Sequence, residues 1–156
     1  MKRTILAFGL LMAWVSVSSQ SANEELAFYQ SIFGMEKKAL VSSFVDLDEQ
    51  SAETFWGLYD EYEAARKVLG QKRFEILNKY ANAYLNLDDA TTDALIAESQ
   101  QVNKDQAKLI TRYYKKLKKA GGSKAAAQFY QLENYFQSAI RITLMEQVPF
   151  IGEFDL

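Results

Sequence analysis

The chain has 156 residues, 18 of them basic and 20 acidic, with no Cys and no His. Disulfides are therefore excluded, and the usual zinc and copper ligands and the usual neutral-pH general base are missing. Acid–base chemistry is left to carboxylates and lysines, and no nucleophile elbow, Gly-rich phosphate loop or metal cluster is present, so the chain reads as a non-enzyme without a cofactor.

Residues 1–19 read as a signal peptide. Lys2 and Arg3 form a basic start, and Ile5 to Val15 is an apolar stretch too short for a membrane span. Val17 and Ser19 are small enough for cleavage before Gln20. No Cys follows, so a lipid anchor is excluded, and no membrane span is expected after cleavage. Residues 20–156 are expected to form a single all-α domain. They hold 16 basic and 20 acidic side chains, a net charge of −4, which argues against a nucleic-acid partner.

The first predicted helix covers about Glu24 to Val45. Tyr29, Ile32, Phe33, Leu40, Val41 and Phe44 fall mostly on one face, and Lys37 and Lys38 lie off it. The second covers about Glu49 to Leu85. Phe55, Tyr59, Tyr62, Arg66, Leu69, Arg73, Ile76, Tyr80 and Ala83 step by threes and fours, a coiled-coil-like seam. Arg66 and Arg73 sit on that seam. Either their stems pack while their heads reach acids, or they form a cationic stripe on a binding face. Asp60, Glu61 and Glu63 read as a solvated helix face, since adjacent acids on a helix do not converge on one point.

The third predicted helix runs from about Asp89 to Ala120, with a polar middle. It ends in Arg112-Tyr113-Tyr114-Lys115-Lys116-Leu117-Lys118-Lys119, with Gly121-Gly122 as its stop. That run holds five cations in eight residues. It either complements the helix macrodipole or captures negative partners. A fourth helix, about Lys124 to Gln147 with Ser123 as cap, carries Phe129, Leu132, Phe136, Ile140, Thr143 and Leu144. The apolar tail Pro149 to Phe154 is expected to fold back on the bundle or dock on a partner.

One helix start occurs twice, 40 residues apart: Leu47-Asp48-Glu49-Gln50 and Leu87-Asp88-Asp89-Ala90. Asp48 and Asp88 suit N-caps, because a carboxylate accepts from unpaired backbone N–H groups of the first turn. A second helix of about 37 residues outruns the diameter of a compact globule of this mass. The monomer is therefore expected to be elongated, closing its core by dimerising or leaving a groove open.

These starts, with Phe55-Trp56-Gly57-Leu58-Tyr59-Asp60-Glu61-Tyr62 after the first, Tyr113-Tyr114-Lys115-Lys116, Phe129-Tyr130-Gln131-Leu132-Glu133 and the signal peptide, resemble the Spy/CpxP family of exported LTXXQ-motif proteins, in a divergent branch. The likeness spans roughly Phe28 to Gly152. Asp48 and Asp88 replace the motif's Thr, Ser51 and Thr91 its Gln, and Gly57 stands where such sequences often have Pro.

The resemblance implies four long helices in an elongated hairpin bundle that pairs as a cradle-like antiparallel homodimer in the periplasm. It implies ATP-independent chaperoning of unfolded or stress-exposed clients. The alternative is a regulatory module that binds a membrane stress sensor or an anti-sigma factor. Leu47, Asp48, Leu87 and Asp88 carry the motif's structural role. Arg66, Arg73, Arg112, Tyr113, Lys115 and Lys116 are the client-contact residues it suggests on a concave face.

Overall fold

The structure is a computed structural model that describes residues 36–153. Residues 1–19, read from the sequence as a signal peptide, and Tyr29, Ile32, Phe33 and Phe154 lie outside these residues. The described chain is all-α, without a strand. Helix α1 covers 36–44. Helix α2 runs Glu49–Ala83 and passes through a 3-10 turn, Tyr84–Asn86, into α3, Asp89–Gln147.

Both long helices start where an Asp closes the first turn. Asp48 is extended (φ −73°, ψ 156°), and its carboxylate accepts from Ser51 N at 2.8 Å and from Ser51 Oγ at 2.9 Å. Asp88 accepts from Thr91 N at 2.7 Å. These bonds satisfy donors that the helix itself leaves unpaired. They hold both carboxyls below the usual carboxylate range, the Ser51 and Thr91 hydrogen bonds being the cause. Leu47 and Leu87 precede the caps and are half-buried, Leu47 against the core.

The third and fourth helices expected from the sequence meet at the expected Gly121-Gly122 stop, both within the span Asp89–Gln147. Gly122 alone leaves helical geometry, at φ 81° and ψ 175°, and kinks α3 into two limbs. The limbs lie side by side along α2. In the first, Lys116 pairs with Glu61 and Glu98 with Lys79. In the second, Glu133 meets Tyr62, and just past its end Pro149 meets Tyr80. Its neighbour Gly121 allows a close approach: a Cβ there would lie 2.7 Å from Leu47 Cδ2 and 2.9 Å from Phe55 Cδ2. Helix α2, with 35 residues, is about 52 Å long.

The core fills the half of the bundle nearest this kink. Phe55, Tyr59 and Tyr62 of α2 meet Leu117, Phe129 and Phe136 of α3 and Val41 of α1. Tyr62 packs edge-on to Phe129 at 5.0 Å and to Tyr113 at 5.5 Å, a geometry that adds attraction beyond area burial.

Inside this core lies a charged network that the periodicity did not foretell. Lys37, read from the sequence as off the apolar stripe, is buried, and so is Glu63, read as part of a solvated acidic face. Lys37 Nζ lies 2.6 Å from Glu63 Oε1 and 2.6 Å from Glu133 Oε1. Arg66 forks onto Glu63 through Nε at 3.0 Å and Nη2 at 2.9 Å. Tyr62 donates to Glu133 Oε2 at 2.6 Å. Burial raises the Glu133 carboxyl, and the Lys37 charge only partly offsets it. Burial acts on Glu63 too, but the Arg66 hydrogen bond and the Lys37 charge outweigh it and hold that carboxyl low. Tyr59 and Tyr62 are pushed upward, by burial first and by the nearby carboxylates second.

Candidate functional site

The other half of the bundle is not filled. There α2, both limbs of α3 and the chain after Gln147 enclose an open cavity of about 480 Å³. Ile76 and Leu77 face it from α2, Leu95 and Val102 from the first limb, and Leu144 from the second. All are aliphatic, whereas the opposite half of the core carries aromatic rings that reach across the bundle. Volumes of this size suit small organic ligands or inserted side chains.

The tail closes one end. After α3 ends at Gln147, Tyr80 donates its hydroxyl to Pro149 O at 2.7 Å, and Tyr84 donates to Phe150 O at 2.9 Å. The segment therefore folds back on its own chain, one of the two arrangements expected from its composition. Phe150 and Ile151 line the cavity but stay 67% and 56% exposed. With Ile96 and Met145, also cavity-lining and exposed, they form an apolar rim.

The residues singled out in the sequence fall in three places. Arg66 is buried in the core network and committed to Glu63, so its charge is not presented to a partner as a surface cation. This corrects its assignment to a client-contact face: the seam turns Arg66 inward, and a carboxylate three residues earlier meets it there. Arg73 lines the open cavity and donates from Nη2 to Asn103 Oδ1 at 3.0 Å.

The basic run lies elsewhere, against α2 near Glu61. Tyr113 is buried, with Lys116 Nζ 4.7 Å and Arg112 Cζ 5.3 Å from its ring centre. Tyr113 is thus a packed platform for two cations, not an exposed contact. Lys116 also pairs with Glu61 at 3.2 Å, while Lys115 is exposed. Among the described residues, no ion pair engages Lys115, Lys118 or Lys119. The structure does not bring this run together with Arg73, because they lie at different heights along α2.

Sequence reasoning missed Arg141. It lines the cavity beside Arg73, from the second limb of α3. Its position three residues before Leu144, a face residue, was the available signal. Among the described residues, no group of acids converges as a metal site would, and no helix is long and apolar enough to cross a membrane.

No family model, curated protein or solved structure matches this chain.

Proposed function

We propose that this chain is an exported, ATP-independent holding protein of the chaperone type, which binds unfolded or stress-exposed clients in the periplasm. One observation carries the proposal: an open apolar cavity is continuous with exposed Ile96, Met145, Phe150 and Ile151 at one end of the bundle. Contiguous exposed apolar surface on a soluble chain marks an interaction site. Client side chains dock on this rim, and the unpaired lysines of the basic run draw in negative clients along the same elongated molecule. Charge speeds capture, and apolar contact slows release.

The signal peptide and the resemblance of the two Leu-Asp helix starts to Spy/CpxP proteins support the same assignment. On this reading two copies pair antiparallel, so that their elongated bundles form one cradle. The test is aggregation of an unfolded reporter protein with and without the purified chain, in the absence of ATP. Suppression near one-to-one stoichiometry, weakened by salt, is the expected result. Indifference to unfolded protein, together with a saturable complex with the exported domain of one membrane sensor or anti-sigma factor, would instead identify a regulatory module.

A further inference from the structure

The groove contains a feature that holding a client does not use. Arg73 and Arg141 both line it, at the end nearest the aromatic core. Burial, and after it the Arg141 charge, lower the Arg73 guanidinium. Among the described residues no carboxylate pairs with either; Arg73 bonds instead to the neutral Asn103 amide. Two cations line one apolar cavity, Arg73 half-buried and Arg141 exposed at its edge, and an anion between them offsets their like charge. Guanidinium forks match the two oxygens of a carboxylate, and Asn103 already orients one of them.

Away from this cation pair the walls are mostly aliphatic, with the rings of Tyr80 and Phe150 at the far end, and Thr92 and Ser99 contribute hydroxyls. A peptide lying along this channel would bring N–H and C=O groups with few partners, each costly to bury unpaired. An aliphatic chain brings none. From Asn103 back to Thr92 the first limb of α3 rises roughly 16 Å, the scale of a medium to long acyl chain.

We infer that this groove is a binding site for a long-chain aliphatic carboxylate, its head between Arg73 and Arg141 and its chain running toward Pro149 and Ile151. The site does not depend on chaperoning: a chain that suppresses no aggregation still binds the acid.

Displacement of the fluorescent probe dansylundecanoate from the purified chain tests this, with laurate and dodecanol as competitors below their aggregation limits. The expected result is saturable binding of one probe per chain, with laurate at least about tenfold stronger than dodecanol, the value of a charge-assisted contact. Arg73→Gln and Arg141→Gln each weaken laurate by about tenfold and leave dodecanol unchanged. Leu95→Trp, which fills the channel from the first limb of α3 and leaves both arginines in place, removes both, and circular dichroism checks that each variant remains helical. Should a variant unfold, the intact chain still decides: added salt weakens laurate and not dodecanol.

Equal displacement by laurate and dodecanol overturns the assignment, as does unchanged laurate binding in both Gln variants. Tighter binding of an apolar peptide than of laurate overturns it too. So does a two-copy mass by light scattering with no probe uptake, which would make the groove a self-association surface.

Discussion

Lys37 places its ammonium 2.6 Å from Glu133 Oε1, both side chains being almost wholly withdrawn from water. The pair links α1 to the second limb of α3, and Glu63 and Arg66 complete the charge balance. Breaking a buried pair by removing one partner leaves an uncompensated charge in a low-dielectric interior. Lys37→Met is therefore expected to destabilise the chain by about 3–5 kcal/mol, and Lys37→Met with Glu133→Leu by clearly less than the single change. Urea denaturation of both variants checks this. A double variant no more stable than Lys37→Met would contradict the pairing.

The same carboxyl predicts an unusual pH dependence. Because the folded Glu133 value is raised, folding favours the protonated form. The stability tied to Glu133 is then fully present below the unfolded value of about 4.3 and lost as pH rises through the folded value. Glu63, Asp48 and Asp88 are shifted down and act oppositely, losing their contribution as pH falls through their folded values. Glu133→Gln isolates one side of this balance. Relative to the parent chain, the variant should gain stability as pH is raised from about 4 toward 7. Denaturation midpoints across that range would show the opposite trend if the Glu133 carboxyl were lowered.

Glycines offer a test in which sign differs by position. Gly57 lies inside α2, and a Cβ added there would meet nothing within 4 Å, so Gly57→Ala should stabilise by about 0.5–1 kcal/mol. At Gly121 the new methyl meets Leu47 and Phe55, and overpacking should cost about 1–3 kcal/mol. At Gly122 the backbone itself excludes a side chain, and Gly122→Ala should cost a similar amount, about 1–3 kcal/mol, through strain. Thermal melts of the three single variants provide the ranking.

The basic run should govern capture rate and not stability. Reversing Lys115, Lys118 and Lys119, which no described acid engages, to Glu should slow capture of a negatively charged unfolded client and abolish its salt dependence. Adding Lys116→Glu should also disturb the Tyr113 platform and its pair with Glu61. Stopped-flow capture at low and high salt distinguishes the two sets. Unchanged kinetics in the triple variant would remove these lysines from the mechanism.

Much of the architecture was legible before the structure. The Leu-Asp starts mark where Asp48 and Asp88 cap α2 and α3, because capping needs only local geometry. The seam from Phe55 to Arg66 is buried as its spacing requires. Lys37, Glu63 and Glu133 escaped, since helical periodicity scores charge as surface and cannot see a partner 96 residues away. The cavity escaped for a related reason: it exists only where three distant segments meet, and Arg141 becomes informative once it lies beside Arg73. The double glycine was readable as an interruption. Its outcome, a reversal between two helical limbs at one non-helical residue, depends on how tightly Leu47 and Phe55 close over it.

The buried ions also bear on which alignment the helices adopt. A seam of Tyr, Phe and Leu at spacings of three and four looks much the same after sliding by one turn, about 5.4 Å. Apolar packing alone tolerates such a slip at modest cost. Lys37 does not, because one turn of displacement from Glu63 and Glu133 would strand charges in the dry interior. The network therefore counts helical turns for the bundle, setting the registry of α1 and of the second limb of α3 against α2. By fixing that phase in the aromatic half, it also determines which side chains face each other in the half left open.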